Sequence, residues 1–150
     1  VRAFQKDGTP VTLGREDLKF SYRHSNLEKY LLLEAMLKLW RRPKEQIRRE
    51  MNANQDFRKK RQNITEPNAG SVFKNPPAPH LPAGALIEKA GLKGKRIGGV
   101  QISEQHANYF INKGGATSKD IVQLIQEVQK AVFHATGITL APEVRIVQKN

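Results

Sequence analysis

The sequence contains no cysteine, and aromatic residues make up only 7% of it, too few for a surface on which nucleic-acid bases stack. Without cysteine, disulfide bonds and thiolate zinc sites are excluded, and the four scattered histidines form no pair typical of a catalytic metal, so no metal site is predicted. No apolar stretch reaches the roughly 18 residues of a membrane span, and no signal segment is recognisable. We therefore expect a cytoplasmic protein.

Basic residues far outnumber acidic ones, and the net charge is +12. The excess is concentrated in residues 38–62, which contain ten Lys or Arg residues against three acidic ones. Such a segment could follow a nucleic-acid backbone, could form a solvated helix face or could bind a single diphosphate. The composition leaves these three possibilities open.

The first 60 residues predict a hairpin, an apolar element and a basic helix. Residues 1–13 alternate weakly and surround the turn Asp7-Gly8-Thr9-Pro10, which indicates a β-hairpin. Tyr30–Trp40 is the most apolar run, and its pattern fits both a helix and a buried strand. From Pro43 to about Lys60 the composition is helical, because proline favours a helix start and no helix breaker follows. Residues 62–68 are a polar connector.

The rest of the chain predicts two helices and several short strands. One helix begins at Pro82 or Ala83 and ends at Gly91, and a longer one is capped by Thr117 and ends at Gly137. The apolar stripes of these helices are Leu86, Ile87 and Ala90 in the first and Ile121, Leu124, Ile125, Val128 and Val132 in the second. Strands are predicted at residues 96–102, 107–112 and 144–147. The fold class is α+β, with helices flanking a small antiparallel sheet.

One serine has an unusual setting. Ser71 follows Gly70 and precedes the turn Lys74-Asn75-Pro76, so its hydroxyl lies on a short extended segment between loops. A residue in such a position is presented to its surroundings and not buried. The local sequence fits an ordinary strand end as well as a functional serine.

Six short motifs follow one another along the chain. They are Phe20-Ser21-Tyr22-Arg23-His24-Ser25, residues 69–76, residues 83–94, Arg96-Ile97-Gly98-Gly99, His106-Ala107-Asn108 and Pro142-Glu143-Val144-Arg145. In this order they resemble the C-terminal part of the UDP-N-acetylenolpyruvoylglucosamine reductases, the MurB flavoenzymes of peptidoglycan synthesis.

The resemblance implies how the chain is organised. Residues 1–42 would be the end of a preceding α+β FAD-binding domain, with a strand at Tyr30–Trp40, and residues 43–150 the C-terminal substrate-binding domain. The chain would be a fragment, inactive by itself, of an enzyme that reduces UDP-N-acetylglucosamine enolpyruvate to UDP-N-acetylmuramate. FAD would be bound mainly by the absent N-terminal region, and NADPH would be the hydride source.

The resemblance also implies roles for individual residues. Arg23 and Glu143 would stabilise the enol form of the substrate, and Ser71 would deliver a proton to its C2 atom. The substrate-binding residues would be Tyr22, Lys74, Asn75, His106 and Lys59. No cofactor-binding residue is identified within these 150 residues.

Two other functions compete with the reductase. A non-catalytic, basic nucleic-acid-binding module would account for the charge but for none of the six motifs. A homologue that serves only as an interaction domain would have no need of Arg23, Ser71 and Glu143, all of which are retained. We therefore expect neither nucleic acid nor a membrane as partner.

Overall fold

A computed structural model describes residues 1–62 and 65–147 of the chain. The chain divides into two compact units, Val1–Lys44 and a second that begins at Glu45. Asn63 and Ile64 of the predicted connector lie outside the described residues. None of the helices in the described part combines the length and the apolar character that a membrane crossing needs.

The first unit is built from short antiparallel strands. They are β1 (Arg2–Phe4), β2 (Pro10–Thr12), β3 (Phe20–Ser21), β4 (His24–Ser25) and β5 (Leu31–Glu34), with a short 3-10 helix at Asn26–Lys29. Strands β2, β1 and β5 form one sheet in that order, and β3 pairs with β4. The predicted hairpin of residues 1–13 is confirmed, and Asp7 Oδ1 accepts a hydrogen bond from the Thr9 amide within its turn.

The strand predicted over Tyr30–Trp40 is correct in type but too long. Only Leu31–Glu34 form β5, and residues 35–43 have no regular secondary structure, so the alternation predicted for Met36, Lys38 and Trp40 does not occur in a sheet. The reason is pairing. Arg2 of β1 pairs with Glu34, so the residues after Glu34 extend beyond the end of the neighbouring strand.

The second unit contains three helices and a four-stranded sheet. The elements are α1 (Lys44–Arg61), β6 (Asn68–Ser71), α2 (Ala83–Lys89), β7 (Arg96–Ile97), β8 (Val100–Ile102), β9 (Tyr109–Asn112) and α3 (Ser118–Thr136). The sheet is antiparallel with the order β6-β9-β8-β7. All three predicted helices are confirmed to within one or two residues at each end.

The core of this unit lies between the sheet and the helices α2 and α3. Helix α3 starts with a capping box of Thr117 and Asp120 and ends at Gly137, whose φ of 72° is the left-handed conformation that glycine adopts readily. Its predicted stripe is buried at four positions, whereas Ile121 is 38% exposed. Helix α2 buries Leu86 and Ile87 against the same core, as predicted.

Two strand predictions are wrong. Residues 96–102 form two strands, β7 and β8, because the chain turns at Gly98 and Gly99 and pairs with itself. Residues 144–147 form no strand. The amides of Glu143 and Val144 both donate to the carbonyl of Val72, so the segment makes one isolated bridge and does not continue into a ladder.

Candidate active site

Three of the predicted site residues meet at one cavity of the second unit. The cavity has a volume of about 270 Å³ and lies between the end of β6, the start of α2 and the loop before β9. Ser71, Asn75 and His106 line it, together with Gly84, Glu88, Gln105 and Asn108. Residues 35 positions apart in the sequence thus contribute to one small polar site.

Ser71 reaches this cavity because β6 is irregular. Ser71 pairs with Tyr109 of β9, but the register shifts between Asn68 and Ser71. Gly70 has a φ of 77°, a conformation strained for other residues, and its amide donates to Asn68 Oδ1 at 2.9 Å. A bulge of this kind changes the direction of the side chain that follows it, which explains why a Gly-Ser pair occurs here.

Asn75 holds the start of α2, which forms another part of the cavity wall. Its Oδ1 accepts a hydrogen bond of 3.0 Å from the amide of Ala83, the first residue of α2. Pro82 precedes this helix and supplies no side-chain cap, so the Asn75 carboxamide takes that role across the proline-rich loop. Asn75 therefore has a structural contact in addition to its place in the cavity wall.

His106 is held in one tautomer by its neighbours. The amide of Asn108 donates to His106 Nδ1 at 3.3 Å, so the proton of the neutral ring lies on Nε2. Burial lowers the pKa of His106 below its ordinary value of 6.5, and the charge of Lys93 lowers the pKa further, against the opposing effects of its own backbone and of Glu88. The ring packs edge-on against Tyr109 with centroids 4.8 Å apart. At neutral pH His106 thus offers a hydrogen-bond donor without a positive charge.

We predict that the His106 pKa lies below 6.5 in the folded protein, because burial disfavours the charged ring. The unfolded chain then binds this proton more tightly, so the free energy of unfolding decreases as the pH falls from above 6.5 through the lowered pKa. An NMR titration of the ring, assigned with His106→Gln, measures the pKa. The same substitution should remove this part of the pH dependence of unfolding, and a pKa of 6.5 or higher would contradict the prediction.

Glu143 and Lys74 lie beside the cavity strand. The Glu143 amide donates to the Val72 carbonyl at 2.7 Å, and the Lys74 amide donates to the Ala141 carbonyl at 2.8 Å. Glu143 Oε2 is buried, whereas the Lys74 side chain is exposed. The backbone thus holds Glu143 next to the residue that follows Ser71. Lys74 is not among the residues that line the cavity.

The basic end of α1 is attached to the same cavity. Gln105, which lines the cavity, donates from Nε2 to the carbonyl of Lys59 at 3.0 Å. The side chain of Lys59 is exposed near this contact. Among the described residues, no group of His, Asp and Glu side chains could hold a metal ion.

Tyr22 and Arg23 belong to the first unit, where they form the two-residue turn between β3 and β4. Arg23 has a φ of 58° and is the one described residue other than glycine with a positive φ. This conformation costs about 1–2 kcal/mol for a residue with a side chain. The Arg23 guanidinium lies 5.8 Å from the centre of the Tyr22 ring. Strain of this kind is concentrated at functional sites.

Gln105 and Asn108 are among the polar cavity residues to which the sequence assigned no role. Gln105 Nε2 donates to the carbonyl of Lys59, and Asn108 Nδ2 donates to the carbonyl of Phe73. Asn108 lies in the motif His106-Ala107-Asn108, and a polar residue entering an apolar strand was the only signal available. Their hydrogen-bond partners are distant in sequence, so no local pattern indicates them.

The fold and the cavity define an α+β protein with a serine-containing polar site. The model of the family described as "UDP-N-acetylenolpyruvoylglucosamine reductase, C-terminal domain" matches residues 62–147. The chain therefore belongs to the UDP-N-acetylenolpyruvoylglucosamine reductase (MurB) family, whose members are oxidoreductases of peptidoglycan synthesis.

Individual relatives agree with this assignment. Proteins named UDP-N-acetylenolpyruvoylglucosamine reductase are 45% identical in Bacillus subtilis (strain 168), over 97% of this chain and 48% of the relative, and 41% identical in Bacillus licheniformis, over 95% and 78%. The crystal structure of the reductase (MurB) from Thermus caldophilus matches with a TM-score of 0.80 and 36% identity, covering 96% of this chain and 50% of that one. The chain spans about half the length of most of the relatives it matches.

Proposed function

We propose that these residues are the C-terminal part of a reductase that converts UDP-N-acetylglucosamine enolpyruvate to UDP-N-acetylmuramate, at the expense of NADPH. The observation that carries the proposal is the meeting of Ser71, Asn75 and His106 at one cavity, with Glu143 bonded to the neighbouring Val72. The product serves peptidoglycan synthesis, and hence cell-wall formation, shape and division, in the cytoplasm.

The flavin does not fit the helix ends of the described residues. A dinucleotide diphosphate usually binds at a helix N-terminus that follows a glycine-rich turn. Helices α1 and α2 follow Pro43 and Pro82, and the N-terminus of α3 carries the carboxylate of Asp120, which repels a phosphate. We therefore assign FAD to a region N-terminal to these residues, as the greater length of the relatives allows.

An apolar surface in the first unit supports such a partner region. Seven large apolar side chains between residues 31 and 40 are at least half exposed: Leu31, Leu32, Leu33, Met36, Leu37, Leu39 and Trp40. So many exposed apolar side chains within ten residues are unusual on a soluble protein unless other elements cover them. The missing flavin-binding region is the occupant that we propose.

The reaction adds a hydride to C3 of the enolpyruvyl ether and a proton to C2. When bound, the flavin, reduced by NADPH, supplies the hydride. The negative charge that develops at C2 is conjugated with the substrate carboxylate, and Arg23 and Glu143 stabilise it by charge and by hydrogen bonding. Glu143 is partly buried, and in this proposal its carboxyl group hydrogen-bonds the enol form of the substrate.

Ser71 completes the addition by giving its hydroxyl proton to C2. Serine is a weak acid, so the proton must go to a strongly basic carbon and the resulting alkoxide must be stabilised by a neighbouring donor. Lys74, three residues further on, is the cation that we propose for this, and its exposed side chain, which does not line the cavity here, would have to turn toward Ser71. His106, with its proton on Nε2, donates to an oxygen of the substrate.

The remaining proposed contacts are made to parts of the substrate that lie away from its reacting atoms. Asn75 and Tyr22 bind its polar groups, and Lys59 binds the diphosphate. The contact between Gln105 and the Lys59 carbonyl supports the last assignment, because it brings the basic end of α1 to the cavity. A compact cation on a flexible stem suits a phosphate.

The proposal predicts that the 150 residues do not retain FAD, whereas a polypeptide extended by the N-terminal region does. Gel filtration with excess FAD measures this as flavin absorbance that elutes with the protein. The extended protein should then oxidise NADPH when the enolpyruvyl substrate is added. Stoichiometric flavin on the 150 residues would contradict the assignment of FAD, and an extended flavoprotein without substrate-dependent NADPH oxidation would overturn the function.

A further inference from the structure

Asn108 is one of two buried polar residues among the described ones, with 3% of its surface exposed. Its side chain pairs with both peptide groups of Phe73. Asn108 Oδ1 accepts from the Phe73 amide at 2.9 Å, and Asn108 Nδ2 donates to the Phe73 carbonyl at 2.9 Å. The carboxamide thus satisfies a buried donor with its oxygen and a buried acceptor with its nitrogen.

This pairing begins where the regular pairing of β6 ends. Ser71 pairs with Tyr109, and the Val72 amide donates to the Asn108 carbonyl at 2.9 Å. The side chain of Asn108 then replaces the next pair of backbone hydrogen bonds. Three hydrogen bonds from one residue therefore hold Val72 and Phe73 extended immediately after Ser71.

Asn108 also contacts His106, another residue that lines the cavity. Its amide donates to His106 Nδ1, the bond that assigns the His106 tautomer, and Asn108 itself lines the cavity with Ser71 and His106. Asn108 is therefore bonded to the strand that presents the serine and to the ring that faces the same cavity.

We propose that Asn108 is a positioning residue, which sets the place of the Ser71 hydroxyl in the cavity through its double hydrogen bond to Phe73. The inference rests on the proposed function, in which Ser71 is the proton donor. Proton transfer requires the donor within hydrogen-bond reach of the accepting atom, and a displacement of about 1 Å can cost about 10²-fold in rate. Asn108 acts through Ser71 and does not itself exchange a proton.

A double-mutant cycle in the full-length enzyme tests this. We introduce Asn108→Ala and Asn108→Asp separately into the enzyme with Ser71 and into the Ser71→Ala variant. In each protein we measure, in a single turnover, the rate at which the enolpyruvyl substrate reoxidises the reduced flavin. Asn108→Asp keeps the size of the side chain but replaces the donor to the Phe73 carbonyl. We expect each substitution to slow the step by about 10-fold to 10²-fold with Ser71 present. In the Ser71→Ala background the same substitutions should change this rate by less than about 3-fold. The hydroxyl that Asn108 is proposed to position is absent there, so its displacement can have no further effect.

Two controls separate positioning from general damage. Asn112→Ala removes an asparagine at the end of β9 whose Oδ1 accepts a local hydrogen bond from the Gly114 amide, and it should leave the rate unchanged. Hydrogen exchange should show the Phe73 amide losing protection in both Asn108 variants, while the Val72 amide, bonded to the Asn108 backbone, keeps its protection. Flavin reduction by NADPH should be unaffected.

The outcomes are distinguishable. Equal slowing by the Asn108 variants in both Ser71 backgrounds would make Asn108 a merely structural residue and overturn the inference, while leaving the function intact. Unchanged protection of the Phe73 amide would also overturn it. Full activity of Ser71→Ala would instead overturn the proton-donor role itself, and the inference with it.

Discussion

Replacing Ser71 with alanine in the full-length enzyme should slow the oxidation of reduced flavin by the enolpyruvyl substrate at least about 10²-fold, the loss typical of a positioned acid. This corresponds to about 2.7 kcal/mol of activation free energy. Reduction of the flavin by NADPH should remain nearly unchanged, because no proton is delivered to C2 of the substrate in that half-reaction. Stopped-flow absorbance of the two half-reactions measures both rates.

Two further variants sharpen this test. Ser71→Cys should recover part of the lost rate, because a thiol at the same place can also donate a proton. Ser118→Ala, at the exposed start of α3 and away from the cavity, should leave both half-reactions unchanged. Equal slowing of both half-reactions by Ser71→Ala would mean that the hydroxyl maintains the structure of the site and that proton donation is assigned wrongly.

Replacing Phe73 with alanine should have the largest effect on stability. Phe73 is 1% exposed, packs edge-on against Phe110 with ring centroids 6.1 Å apart, and belongs to the core between the sheet and the helices. Removing such a side chain costs the transfer free energy of its atoms and leaves a cavity. We expect the free energy of unfolding to decrease by about 3–5 kcal/mol, measured by urea denaturation of the chain.

The same substitution at an exposed phenylalanine is the control. Phe133, on α3, is 52% exposed, so Phe133→Ala should change the free energy of unfolding by less than about 0.5 kcal/mol. A loss of less than about 1 kcal/mol for Phe73→Ala would show that the strand after Ser71 is not part of the cooperative core. A loss of similar size at both positions would show that the burial difference does not determine stability here.

Local chemistry was sufficient to predict the helices. The boundaries of α3 follow from the reciprocal capping of Thr117 and Asp120 and from Gly137, whose amide bonds to Phe133 one turn earlier. Its buried face follows from the spacing of Leu124, Ile125, Val128 and Val132. The helix α1 has no apolar stripe that is buried, yet Pro43 and a run without helix breakers predicted it to within a residue. Helices are local structures, so local signals define them.

Strands were predicted less well because a strand exists only where a partner lies beside it. Met36, Lys38 and Trp40 alternate as a strand would, but β1 offers no pairing beyond Glu34. Residues 144–147 are apolar enough for a strand, yet Glu143 and Val144 both bond to Val72. In each case the pattern indicated a possibility, and the position of the neighbouring chain decided it.

The sequence by itself determined the family, the three helices and the position of Ser71 on an extended segment after Gly70. Motifs, helix caps and turns depend on residues that are close together in the sequence. Only the tertiary structure decided that Ser71, Asn75 and His106 share a cavity, that Asn108 pairs with Phe73 35 residues away, and that His106 has its proton on Nε2. The physical reason is that hydrogen bonds and burial depend on distance in space. The distance between two residues along the sequence does not predict which buried peptide group a side chain will contact.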